Sequence, residues 1–239
     1  MKINPYKYET VFITLIISFG LLLRGFNINF NDFWSDEMVS FYLSNPKLEF
    51  LDTIKLIFAS NLTVTFEIIL KFFHKIFGYN FEYSRYLTLL LSVFSIFYFY
   101  RLIKTNKSYY SAILGIVLLS INIYHIRYSV ELRSYTLTFL LTIILLNLIF
   151  YQGKIREFRN FLSYLLIFIV SLLMLFSHAY SIIVIISINF YIFLLWALKR
   201  NFTKSTALLF LSTSISSLLF ILIYISNISH TPTWLPALK

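Results

Sequence analysis

Residues 161–198 read FLSYLLIFIVSLLMLFSHAYSIIVIISINFYIFLLWAL, thirty-eight positions without one Asp, Glu, Lys or Arg. Only the short polar turn Ser177-His178-Ala179 interrupts them, so they divide into two apolar stretches, Phe161–Phe176 and Tyr180–Leu198. A helix on the surface of a soluble protein carries one apolar stripe, whereas one that is apolar all round is buried in a core or spans a bilayer. Spanning takes about 20 mostly apolar residues, within a range of roughly 17–25. Five further stretches meet or approach that length: Tyr8–Phe26, Arg85–Leu102, Tyr109–Tyr124, Leu132–Tyr151 and Ser205–Ile228.

The remaining composition agrees. The 239 residues are 59% hydrophobic and 13% charged, with a mean hydropathy of +0.80. Globular chains run at roughly 45–50% apolar and about 25% charged. The fold expected is therefore all-α and polytopic, a single membrane-embedded domain over 1–239 with about seven spans. The chain holds no Cys, which excludes a disulfide framework, a thiolate nucleophile and thiolate-held metals. Lys2 and Lys7 precede the first apolar run as in a signal peptide, but no small-residue cleavage site follows Leu23, so an uncleaved signal-anchor helix is expected.

A formal charge of +10 raises the question of nucleic acid, and the distribution answers it. The cations come in short clusters between apolar runs: Arg101, Lys104 and Lys107; Lys154, Arg156 and Arg159; Lys199, Arg200 and Lys204. Such clusters orient spans by the positive-inside rule, and no separate basic module for nucleic acid exists. With the amino terminus inside, 11 of the 20 Lys and Arg are cytoplasmic against only Glu9 and Glu157. The outer side then holds nine basic and eight acidic residues. The expected location is the plasma (inner) membrane, multi-pass, with the chemistry on the extracytoplasmic face.

Residues 27–84 form a long outer loop that carries seven of the ten acids. Within it Val64–Phe77 is apolar but places Glu67, Lys71 and His74 at i, i+4 and i+7, on one helical face. Four ionisable groups in 14 residues, Lys75 included, are costly in mid-bilayer. The expectation is an amphipathic juxtamembrane helix in the interface, its polar face wet and its aromatics buried.

Three polar groupings stand out on the outer face. The first is Phe33-Trp34-Ser35-Asp36-Glu37-Met38, where an aromatic-flanked acid could serve as a general base, or where two loop acids are simply solvated. The second runs from Tyr124-His125-Ile126-Arg127 to Glu131-Leu132-Arg133-Ser134-Tyr135. Its arginines suit a lipid phosphate, or else anchor span ends among the aromatics. Glu131 and Tyr135 are one turn apart and are expected on one helical face. The third is Ser177-His178-Ala179-Tyr180. All four histidines (His74, His125, His178 and His230) fall outside, and none has metal-ligand spacing.

In order, these motifs resemble those of GT-C type membrane glycosyltransferases, the family-39 group of protein mannosyltransferases and aminoarabinose transferases. The first-loop Asp-Glu pair is matched by Asp36-Glu37 with Ser40 following, and the loop helix by Val64–Phe77. The Arg opening the second span is matched by Arg85, the Glu-x-Arg-x-Tyr signature by Glu131-Leu132-Arg133-Ser134-Tyr135, and a later His-x-Tyr by His178-Ala179-Tyr180. The departures are Asn61-Leu62-Thr63-Val64 without the usual prolines, Asn122 in place of Pro, and Val130 in place of Gln. Members of that group are about twice as long, so the resemblance implies that the carboxyl-terminal half of their architecture is missing here.

The resemblance implies transfer of a sugar from a polyprenyl-phosphate donor to a lipid, protein or glycan acceptor, by a single inverting displacement. Asp36 would be the general base, and Arg133 and Arg85 would bind the departing lipid phosphate. Glu131 would orient Arg133, while Glu37, Tyr135 and His178 line the cavity. No cofactor is implied with certainty, and a divalent metal is left open. The rival expectation is a non-catalytic membrane protein: a truncated pseudoenzyme, an assembly subunit, or a lipid carrier or transporter.

Overall fold

The computed structural model describes residues 8–26, 28–29, 31–60, 64–156, 160–198 and 203–228. Lys2, Lys7, Glu157, Arg159, Lys199, Arg200 and His230 lie outside them, as does Asn61-Leu62-Thr63. In chain order the helices are α1 (Glu9–Gly25), α2 (Ser35–Leu43), α3 (Phe50–Ser60), α4 (Val64–Phe77), α5 (Phe81–Asn106), α6 (Tyr109–Ile121), α7 (Ile123–Ser129) and α8 (Tyr135–Ile149). After a hairpin of two short strands, β1 (Phe150–Tyr151) and β2 (Lys154–Ile155), come α9 (Phe161–Leu175), a 3-10 turn at Ala179–Ser181, α10 (Ile182–Ala197) and α11 (Lys204–Ile228). Each apolar stretch read as a span is occupied by a helix, and α4 has the expected bounds. The hairpin is the one departure from an all-helical chain among the described residues. Its turn places Gln152 at φ 50° and Gly153 at φ 73°, the left-handed pair that a tight hairpin needs.

Among the described residues, three helices are long and apolar enough to cross a membrane: α5, the stretch Ala179–Ala197, and α11 over Lys204–Ser226. The pair α6 and α7, bent by 59°, counts as a fourth if it is one span. The helices α8 and α9 are apolar but only 15 residues each, about 22 Å at 1.5 Å per residue. The surface identifies the solvent. In α10 and α11 only 22% of the most apolar stretch is buried in the protein, and Ile183, Phe190, Phe193, Leu211, Leu218 and Leu222 face outward. Such a surface suits hydrocarbon and not water. The protein is a helical membrane protein.

The central helix is α5, packed against α1, α4, α6, α7 and α8; α8, α9 and α11 continue the bundle, and α10 flanks α11. One core joins Leu132, Leu137, Leu141 and Leu145 to Ile167, Val170 and Met174, and reaches Phe41, Phe66 and Leu70 in the loop helices. A smaller one joins Ile96, Tyr100, Ala112 and Ile116 to α1. Helix α1 comes close because position 20 is Gly: a Cβ there would stand 3.0 Å from Ile96 Cδ1 and 3.3 Å from Ser120 Oγ.

The break between α6 and α7 has a specific cause. Arg24, fully buried at the end of α1, donates from Nη1 to the carbonyls of Gly20 (2.8 Å) and Ser120 (2.9 Å). Its Nη2 donates to Leu119 O (3.1 Å) and to His125 Nδ1 (2.7 Å). The guanidinium thus satisfies carbonyls that a helix end leaves open, while Asn122 restarts the chain by accepting from His125 N–H at 2.9 Å. Arg24 therefore aims α7, and with it Arg127 and Glu131.

Candidate functional site

Asp36 and Glu37 do not lie in a loop; they open α2, where acids favour the positive helix end. Successive helical residues point about 100° apart, so the two acids part company. Glu37 turns inward and is 1% exposed, while the Asp36 side chain remains 44% exposed.

Glu37 ties three segments together. Its Oε1 accepts from Arg85 Nε (3.0 Å) and from the backbone N–H of Leu132 (2.6 Å), and its Oε2 accepts from Arg85 Nη2 (2.8 Å). Arg85 spends its other N–H groups on the carbonyls of Ile28 (3.1 Å), Asn31 (2.7 Å) and Asp32 (3.4 Å), and its guanidinium lies 4.4 Å from the centre of the Phe33 ring. A guanidinium has five N–H donors, and all five of these are engaged. Arg85 is thus an internal clamp of α5 on residues 28–37; holding a phosphate, the role the resemblance implied, would require it to give up these bonds.

Asp36 instead meets the second signature. Its carboxylate stands 3.5 Å from Arg133 Nη2, and Arg133 Nη1 reaches the Asp36 carbonyl at 3.3 Å and Ser40 Oγ at 3.4 Å. Glu131 does not orient Arg133 through its side chain. It pairs with Arg127 at 3.4 Å, and only its carbonyl meets the Arg133 backbone N–H at 2.8 Å. The reason is local: residues 130–134 form a turn and α8 starts at Tyr135, so Glu131 and Tyr135 do not share a helical face as expected. Both still line one cavity of about 490 Å³, together with Asp32, Trp34, Glu37, Arg85, Arg127 and Tyr128. Asp36, Arg133 and His178 are not among its lining residues. The His178 ring lies 5.5 Å from that of Tyr135, and Tyr128 lies 4.9 Å from Tyr135 on the cavity side.

The electrostatics follow burial. Burial raises the Glu131 carboxyl above its ordinary value, Arg127 works against the shift, and the nearby Glu37 charge adds to it. Burial lowers His178, and the Arg133 charge lowers it further. Both groups are pushed toward their neutral forms. Among the described residues no group of three His, Asp or Glu is placed to hold a metal ion.

The polar face of α4 is the largest correction. It is not wet: Glu67 and His74 are each 1% exposed, whereas Phe72, Ile76 and Phe77 face outward. The buried face grips α2. Glu67 Oε1 accepts from Ser40 Oγ (2.9 Å), His74 Nδ1 lies 3.1 Å from Ser44 Oγ, and Lys71 Nζ donates to Asn45 O (2.5 Å) and Leu48 O (2.8 Å). On its far side His74 Nε2 meets Ser84 Oγ of α5 at 2.7 Å. Thr65 fastens the start of α4 to the end of α9, through Leu173 O (2.9 Å) and Phe176 O (3.2 Å).

The motifs read in the sequence thus meet: Glu37 with Arg85 and Leu132, Asp36 with Arg133, and Tyr135 with His178. Sequence reasoning gave no role to Arg24, Asp32 or Glu67. Glu67 had a usable signal, a carboxylate within the apolar stretch Val64–Phe77. Comparison of the chain with family models, with curated proteins and with solved structures finds no match in any of the three.

Proposed function

We propose that this protein is a membrane glycosyltransferase that moves a sugar from a polyprenyl-phosphate donor to an acceptor outside the membrane. The observation that carries the reading is convergence. Residues 36, 37, 85, 131, 133, 135 and 178, which resemble family motifs in order, fold into one cluster beside a cavity of about 490 Å³. Motifs retained as separate span anchors would have no cause to meet.

In this reading the acceptor attacks the anomeric carbon from one face and its proton passes to the half-exposed Asp36 carboxylate. The bond from the anomeric carbon to the phosphate oxygen breaks, and that oxygen leaves with the electron pair as the polyprenyl phosphate. Arg133 stabilises the leaving charge, and Arg127, its side chain 72% exposed, offers a second cation from the neighbouring cavity. Glu37 and Arg85 hold the first loop against α5 and the turn before α8. Tyr128, Tyr135 and Trp34 offer rings on which a sugar face can rest. The matching topology has seven spans and a cytoplasmic amino terminus.

The test is turnover in liposomes supplied with polyprenyl-phosphate sugars, read as release of polyprenyl phosphate. Asp36→Asn should lower it by about 10²–10⁴-fold, the usual contribution of general-base catalysis, with binding of undecaprenyl phosphate unchanged. If the parent protein binds undecaprenyl phosphate but turns over none of the donors, the non-catalytic reading takes its place.

A further inference from the structure

The charged face of α4 is buried, and one of its members stands directly behind Arg133. We propose that Glu67 is a positioning residue that sets the grip of Arg133 through the hydroxyl of Ser40. The inference rests on the reading of Arg133 as a phosphate ligand.

A serine hydroxyl has one proton to give and two lone pairs with which to accept. In a helix that proton commonly goes back to the carbonyl four residues earlier, which for Ser40 is that of Asp36. Here Glu67 Oε1 takes it instead, at 2.9 Å. Two acceptors are thereby left to Arg133 Nη1: the lone pairs of Ser40 Oγ at 3.4 Å and the Asp36 carbonyl at 3.3 Å. Ser40 is fully buried and Glu67 is 1% exposed, so water cannot take over the role. Without the carboxylate, the hydroxyl turns to the Asp36 carbonyl and competes with Arg133 for it. Nη1 then shares the Asp36 carbonyl with the hydroxyl proton, and its hold on the guanidinium weakens.

The device is separable from the docking of α4. That helix is pinned on either side of Glu67 by Thr65 to α9 and by Lys71 and His74 to α2 and α5. A buried carboxylate replaced by an apolar chain of like size leaves those pins in place.

The experiment measures the dissociation constant of undecaprenyl phosphate in dodecyl maltoside micelles, on monodisperse protein whose thermal midpoint is recorded alongside. Arg133→Ala should weaken binding by about tenfold or more, and Glu67→Met by about three- to tenfold, the size of one hydrogen bond to a charged group. In the Ser40→Ala background, and again in the Arg133→Ala background, Glu67→Met should change binding by less than about twofold, because the relay is already cut. A merely structural role would lower the thermal midpoint equally in every background and leave the constant of the folded fraction alone. If Arg133→Ala weakens binding and Glu67→Met does not, or if Glu67→Met acts undiminished without Ser40, the relay is overturned while the phosphate site stands. If Arg133→Ala binds as the parent does, the phosphate reading fails and takes the relay with it.

Discussion

Asp36 and Glu37 are adjacent and chemically alike, yet the fold gives them opposite tasks. Glu37 is buried against Arg85, and such a pair is stable only while both charges are present. Glu37→Gln should therefore destabilise the protein by about 3–5 kcal/mol, the cost of stranding a buried charge, seen as a lower thermal midpoint in detergent. Glu37→Leu combined with Arg85→Met should recover only part of that loss: neither ion is then left alone, but the Leu132 N–H and the carbonyls of Ile28, Asn31 and Asp32 lose their partners. Asp36→Asn, on a half-exposed side chain, should change stability by less than about 0.5 kcal/mol, as surface changes do. One substitution tests structure and its neighbour tests chemistry. The pair itself was legible in the sequence; Arg85 and Arg133 were singled out there too, but as phosphate ligands and not as partners of these acids. The division of labour was not, because it depends on α2 beginning at Ser35, which rotates one acid inward and the other out. The same holds for Glu131: its proximity to Arg133 in sequence suggested a side-chain contact that the turn before α8 prevents.

Helix α4 shows what periodicity conveys and what it omits. Spacing of i, i+4 and i+7 placed Glu67, Lys71 and His74 on one face, and that is where they are. Periodicity cannot say whether a polar face looks at water or at a polar surface of the protein; here Ser40, Ser44 and the carbonyls of Asn45 and Leu48, in the segment after α2, supply that surface. His74 makes the difference measurable. Its burial lowers its pKa from the ordinary 6.5, so the folded protein prefers the neutral ring. A group depressed in this way contributes stability that is present above the unfolded value and is lost as pH falls through the folded one. The thermal midpoint should accordingly drop as pH is lowered from 7.5 through 6.5 and below. His74→Gln should reduce that slope by at most the single proton involved, about 1.4 kcal/mol per pH unit, while lowering the midpoint at pH 7.5 through lost hydrogen bonds. An unchanged slope would place His74 in water. Arg24 makes the same point in another element. Arg24→Met should orphan the Ser120 carbonyl, while Leu119 O keeps the Asn122 N–H, and cost about 1–3 kcal/mol for the group left unsatisfied, read as a lower midpoint and faster proteolysis near residue 122.

At the scale of the molecule, apolar length located α1, α5, α6 and α8 to α11, because hydrocarbon-facing helices need no partner to be recognised, but it did not locate α2, α3 or α7. It did not reveal that α6 breaks at Asn122 or that α8 and α9 are short, since those depend on capping by Arg24 and on where a turn ends. Orientation can be tested against both charge and contact. Glu9 of α1 bonds Tyr100 Oη (2.6 Å) and Lys104 of α5, and Asn106 Oδ1 accepts from Gly153 N–H of the hairpin at 2.8 Å. The start of α1, the end of α5 and the hairpin with Lys154 and Arg156 therefore gather at one end of the bundle. At the opposite end of α5, Arg85 holds Glu37. The positive-inside rule assigns the basic end to the cytoplasm, which puts Asp36, Glu67 and Arg133 outside. A reporter fused after Lys107 or Lys204 should then be cytoplasmic, and one fused after Tyr79 external. Single cysteines in this Cys-free chain give a second readout: one at Lys154 should resist a membrane-impermeant thiol reagent in intact cells, and one at Tyr79 should react. External signals at both Lys107 and Lys204 would invert the bundle and turn the cavity to the cytoplasm. A donor presented on the outer leaflet could not then reach Asp36, and the proposed transfer would fail on topology before any chemistry was measured.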